Sequence, residues 1–192
     1  MTVSNNKTIA KTIWNTFGGE NPKVYTYWDD NHESCIDILA VKERPFPKLT
    51  SISTIGLSDF SIGKHIGVNE LRIEILGAYE EKYEYAPNMI ATCAFYIINS
   101  KFSCYPGAIY QDVVHMYAPD SDMQHILFTN PFIWENELKT LEFEDKIVAW
   151  LLAVPISETE RIYTLEHGLD ALETLFEEKQ INIFDLNRLS VI

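Results

Sequence analysis

Leu71-Arg72-Ile73-Glu74-Ile75-Leu76 is the stretch that decides the fold class. Leu71, Ile73 and Ile75 alternate with Arg72 and Glu74, the period of a strand that rests one face on a core. The reading places the apolar set inward and Arg72 and Glu74 outward. Upstream, residues 51–55 (Ser-Ile-Ser-Thr-Ile) are rich in β-branched side chains and predict another strand, broken by Gly56 before a Leu57-Ser58-Asp59 turn. Residues 24–28 and 35–41 flank the turn Asp29-Asp30-Asn31, with Ile36 and Ile38 on one face, and predict a hairpin. Glu43-Arg44-Pro45-Phe46-Pro47 cannot continue a ladder and reads as a loop.

Helical spacing brackets these strands. Ile9, Ile13 and Phe17 line one face of a helix over residues 5–17, capped by Ser4 or Asn5 and ended by Gly18-Gly19. Pro87 opens a helix to about Ser100 that is apolar nearly all round, which predicts burial. Residues 113–117 and 125–129 are strand candidates, and 141–143 with 147–154 form a second hairpin that Pro155 stops. Ser157-Glu158-Thr159-Glu160 has the capping-box pattern and opens a helix to Gly168, followed by another over 170–178 with Leu172, Leu175 and Phe176 inward. No repeat, low-complexity tract or Gly/Ser linker interrupts the chain. The order predicts an α+β fold: a single domain over residues 1–192 with a largely antiparallel central sheet and flanking helices.

Composition narrows the function. The 192 residues carry a net charge of −13, with 46% apolar and 22% charged residues. That balance excludes a disordered tail and argues against a nucleic-acid backbone or an anionic membrane as partner, since like charges repel. It favours a basic partner. Cys35, Cys93 and Cys104 are far apart with no CxxC, so neither a disulfide scaffold nor a structural zinc site is expected. No signal peptide is visible, and the longest apolar run, 147–154, is far short of the roughly 20 residues of a membrane span. A cytoplasmic, reduced protein is expected.

Candidate chemistry is sparse. His115 and His125, with Asp112 and Asp120, can form a His/carboxylate cluster if their strands are neighbours, but ordinary polar positions at strand ends are the favoured reading, since ten residues is no ligand spacing. Cys104 pairs with His115 only by closeness in sequence, and Gly56-Leu57-Ser58 lacks the second glycine of a nucleophile elbow. No glycine-rich phosphate loop is present. No catalytic residue, cofactor or metal is therefore assigned, and the chain is read as no enzyme. The acidic residues occur in small groups, each of which reads first as a solvated face. One group is interleaved with aromatics: Tyr79, Glu80, Glu81, Tyr83, Glu84 and Tyr85. Tyrosines among carboxylates suit an interface with a basic protein, so this segment, with Asp29 and Asp30, is the candidate partner-binding surface.

Several strings resemble the suppressor-of-fused (SUFU) domain family. In chain order they are Ser53-Thr54-Ile55-Gly56-Leu57-Ser58-Asp59, Leu71-Arg72-Ile73-Glu74-Ile75, His125-Ile126-Leu127-Phe128-Thr129-Asn130-Pro131-Phe132, Val154-Pro155-Ile156-Ser157 with Glu160, and Phe184-Asp185-Leu186-Asn187-Arg188 with Ser190. They span about residues 50–190. Trp14-Asn15-Thr16-Phe17-Gly18-Gly19 and Tyr27-Trp28-Asp29-Asp30 are similar to its bacillar antitoxin branch. The resemblance implies a SUFU-like domain without catalytic residues. It also implies a cytoplasmic immunity protein that binds and neutralises a secreted LXG-type toxin with a nuclease domain of DNase type. A protein-binding scaffold with an unrelated partner is the alternative. The shared strings are mostly turn and strand positions and carry over no contact residue.

Overall fold

The computed structural model describes residues 2–192. The strands are β1 (Lys23–Trp28), β2 (Cys35–Lys42), β3 (Leu49–Ile55), β4 (Lys64–Ile66), β5 (Asn69–Glu80), β6 (Ile109–Tyr110), β7 (Met123–Thr129), β8 (Leu141–Glu142) and β9 (Lys146–Ser157). The helices are α1 (Thr2–Phe17), α2 (Ala86–Ile98), α3 (Glu158–His167) and α4 (Leu169–Lys179). All nine strands join one sheet of order β1-β2-β3-β5-β9-β7-β6, with β4 on β5 and β8 on β9. The sheet is mixed. Central β5 and β9 run parallel, from Glu70 opposite Lys146 to Leu76 opposite Leu152, and the other pairs are antiparallel.

Both faces of the sheet are covered, and the strand sequences show why. Helix α2 lays Met89, Ile90, Cys93, Ala94 and Ile97, all fully buried, against Ile38, Ile52, Ile75 and Phe128. On the opposite face α1 buries Ile9, Ile13 and Phe17 against Leu39, Leu76, Val154 and Trp134, with the Phe17 and Trp134 rings 4.7 Å apart. Gly18 takes a left-handed φ of 68° and returns its amide to the Trp14 carbonyl, ending α1 as expected. The Ser157–Glu160 capping box forms in full, and Gly168 closes α3.

Four sequence expectations are corrected. Ser4 and Asn5 lie inside α1 rather than capping it, because their helix penalty is a few tenths of a kcal/mol each while Ile9 and Ile13 anchor the helix. Residues 113–117 form irregular turns, not a strand; the Val114 and His115 amides both share the single Gln124 carbonyl. Pro155 does not stop β9, which continues to Ser157. By then β9 has passed the end of its pairing with β5, and the Pro155 carbonyl points away from β7 to accept from Arg188 at 3.0 Å. The missing N–H lies on that same open side, where proline is tolerated.

Glu74 is the fourth. It is fully buried, not outward. Its carboxylate accepts from the amides of Gly56, Leu57 and Ser58 at 3.0, 3.2 and 3.1 Å and from the Thr54 hydroxyl. The Gly-Leu-Ser turn is thus a nest of N–H groups closed on an internal carboxylate. Lys146 completes the knot, donating to the Ser58 carbonyl at 3.1 Å and to Asp59 at 2.8 Å.

Candidate functional site

β1 is an end strand of the sheet, and the surface beside it is grooved. Tyr25 and Tyr27 lie on the α2 side, where they floor a groove of about 470 Å³ with Ala40, Thr50 and Ile52. Its acidic side is supplied by Glu20 and by Glu80, Glu81 and Glu84 from the segment linking β5 to α2. A second groove of about 490 Å³ shares Tyr27 and runs past Trp28, Asp29 and Asp30 to Tyr96 and Met116. The two segments singled out in the sequence therefore line adjoining grooves.

The individual side chains divide into scaffold and surface. Tyr79 is 1% exposed and donates to the Ala153 carbonyl at 2.9 Å, and burial pushes its phenol well above the ordinary value. Tyr83 is also buried and donates to Asp185, and burial followed by this bond pushes its phenol up to about 12. Neither ring presents the broad free face the sequence reading gave it, because both serve as props between the acidic segment and the core. Tyr85 is half-buried and stacks on Tyr117 with centroids 6.3 Å apart. Glu80 pairs with Lys82, which also meets Asp185, and the Glu80 amide donates to the Phe184 carbonyl. Glu81 accepts from the Glu43 amide at 3.3 Å. Glu84 and Asp30 are exposed. Asp29 is engaged: burial works against its charge, but the Ser34 and Glu33 amides and Asn99 hold its carboxyl below the ordinary value. Sequence reasoning missed Tyr25 and Glu20. The alternation of Tyr25 and Tyr27 on one strand was the available signal.

The candidate chemistry disperses. His125 is buried, with Nδ1 accepting from the Asp112 amide at 2.9 Å, so Nε2 donates to Glu158 at 2.8 Å. Arg161 grips the same carboxylate at 2.7 Å through two bonds and, with His125, draws its pKa down to about 2. This is a clasp joining the 111–117 turns to α3. His115 and Asp120 are exposed outside it. The Cys104 thiol is buried and pushed up to about 12, and Cys93 is raised likewise by burial, so neither is a ready thiolate. Ser58 is fully buried in the Glu74 knot. Among the described residues, no group of three or more His, Cys, Asp or Glu side chains is placed to hold a metal ion.

The family model for suppressor of fused protein (SUFU) matches residues 32–189. The chain belongs to the SUFU family. It is 51% identical over 187 residues to the immunity protein YqcF of Bacillus subtilis (strain 168), covering 97% of each chain. In three dimensions it is similar to a SUFU homologue from Neisseria gonorrhoeae FA 1090, with TM-score 0.75, 19% identity, and 99% and 98% of the two chains covered. It is also similar to Drosophila Suppressor of Fused, with TM-score 0.65 and 12% identity over 95% of this chain and 50% of that one. At such identities the structural likenesses speak to the fold. Within this SUFU chain the family-like strings fall on supports: Gly56-Leu57-Ser58 holds Glu74, and Phe184-Asp185 props the acidic segment.

Proposed function

We propose that this SUFU chain is an immunity protein that neutralises a protein toxin by binding it. The observation that carries the reading is the 51% identity to an immunity protein over nearly the whole of both chains. Charge extends it to the partner's chemistry. An enzyme that cuts nucleic acid presents a basic cleft, and a chain of net charge −13 is electrostatically complementary to such a surface. The finer reading is therefore an LXG-type toxin with a nuclease domain of DNase type, met in the cytoplasm. The chain contributes shape and potential rather than bond-making groups. His125, Cys104 and Ser58 have structural surroundings that account for them, and His115 stands apart from them on the surface.

Co-expression tests this. The toxin encoded next to this chain's gene is induced in cells with and without the chain. The expected result is growth and intact chromosomal DNA only when the chain is present. Continued DNA loss with the chain abundantly expressed overturns the reading. Rescue from a toxin that leaves DNA intact keeps the immunity role and removes the nuclease assignment.

A further inference from the structure

The backbone of β1 carries a feature that the charge argument alone does not use. The Asp29 amide bonds to the Ser34 carbonyl, and β1 pairs with β2 in the same register, Trp28 opposite Cys35. In an antiparallel ladder bonded residues alternate, so Lys23, Tyr25 and Tyr27 face β2 with their N–H and C=O groups. The same parity follows from the far side: Glu81 bonds Lys48, which carries through β3 and β2 to place Ile36 and Ile38 toward β1. Val24, Thr26 and Trp28 therefore turn their amides and carbonyls outward, and no hydrogen bond from another described residue meets them. Val24, Tyr25 and Trp28 are 52%, 46% and 52% exposed. A long open edge of β-branched and aromatic residues invites pairing and is normally blunted or covered. The opposite edge, β6, is only two residues long.

Resting on the immunity reading, we infer that β1 is the docking edge, and that its occupant is an extended segment of the toxin in which basic and apolar residues alternate. A strand added beside β1 sends alternate side chains to the two faces of the sheet. On the face of Tyr25 and Tyr27 they meet Glu20, Glu84 and Asp30, where Lys or Arg gains ion pairing and contact with the tyrosine rings. On the other face they lie beside Val24 and Thr26, whose hydroxyl donates to Asp37 at 2.6 Å, and an apolar residue there meets the Val24 side chain. Charge complementarity selects this occupant over a second copy of the chain, since pairing two β1 edges brings two −13 molecules and their acidic grooves together.

The test uses a synthetic peptide, acetyl-Val-Arg-Val-Lys-Val-Arg-amide, titrated into the isotope-labelled protein, so it does not depend on the toxin's identity. The expected result is that the Val24, Thr26 and Trp28 amides shift and become protected from exchange. Thr26→Pro removes an outward amide at an edge position that tolerates proline, and is expected to weaken binding at least about tenfold. Exposed Asp30→Lys with Glu84→Lys is expected to do the same, as is replacing the peptide's basic residues by Glu. Shifts elsewhere with β1 silent, or a natively folded Thr26→Pro protein of unchanged affinity, overturn the inference while leaving the immunity reading intact. A protein that sediments as a dimer through β1 overturns it in favour of self-pairing. Failure to rescue from the toxin strikes the immunity reading instead.

Discussion

Replacing Glu74 by Ala is expected to cost more stability than any surface change, although the residue reads in the sequence as a solvated strand position. The buried carboxylate is the acceptor for the Gly56, Leu57 and Ser58 amides and for the Thr54 hydroxyl. Thr54 in turn accepts from the Ile75 amide at 2.9 Å, so the disturbance reaches the central strand. Each buried donor left without a partner costs about 1–3 kcal/mol. The turn relaxes in part, and removing a carboxyl that burial already pushes upward in pKa returns some free energy. About 3–5 kcal/mol is the expected net loss. Urea unfolding followed by tryptophan fluorescence reads it as a midpoint lowered by roughly 2 M at unchanged slope, for a slope of about 2 kcal/mol/M. Glu74→Gln keeps one acceptor but turns an amide NH2 toward donors, and falls between. Amide exchange at 56–58 accelerates in both. A Glu74→Ala loss below about 1 kcal/mol at unchanged slope refutes the reasoning, for the turn would then hold without its carboxylate.

Further outcomes follow from other groups. Arg188 makes two bonds to fully buried Glu160, and Arg188→Ala is expected to cost about 3–5 kcal/mol in the same urea assay because it leaves a buried charge uncompensated. Glu158 sits at about 2 against an ordinary 4.5, so its contribution is complete above 4.5 and is lost as pH falls toward 2. Glu158→Gln should lower the neutral plateau of a stability–pH profile and flatten its acid limb in that window, so that variant and parent converge as pH falls toward 2. The rate of association with a basic toxin should fall tenfold or more between low and high salt in stopped-flow mixing, with dissociation changing far less.

The elements legible in the sequence were those whose signals are local. The β1–β2 hairpin, the Pro87 helix and the Ser157–Glu160 box each rest on residues within a few positions of one another. The misread positions depend on partners far along the chain. Glu74 is buried because α1 and the 56–58 turn cover the second face of β5, and alternation cannot distinguish a covered polar face from a wet one. Pro155 is accommodated because the pairing of β5 with β9 stops at Leu152, although β5 itself runs on to Glu80. Tyr79 and Tyr83 turn inward because Ala153 and Asp185 wait for their hydroxyls. The acidic–aromatic segment and Asp29-Asp30 were marked from composition. That they adjoin through Tyr27 is a product of the sheet order, which no short motif encodes.

This SUFU chain is proposed to disarm its target by occupying it. Titrating the purified chain into a fixed amount of the purified toxin nuclease domain, with DNA cleavage as the readout, tests it most directly. The expected result is a linear loss of cleavage that ends at one equivalent. Cleavage that persists beyond several equivalents, or inhibition at catalytic amounts of the chain, contradicts it.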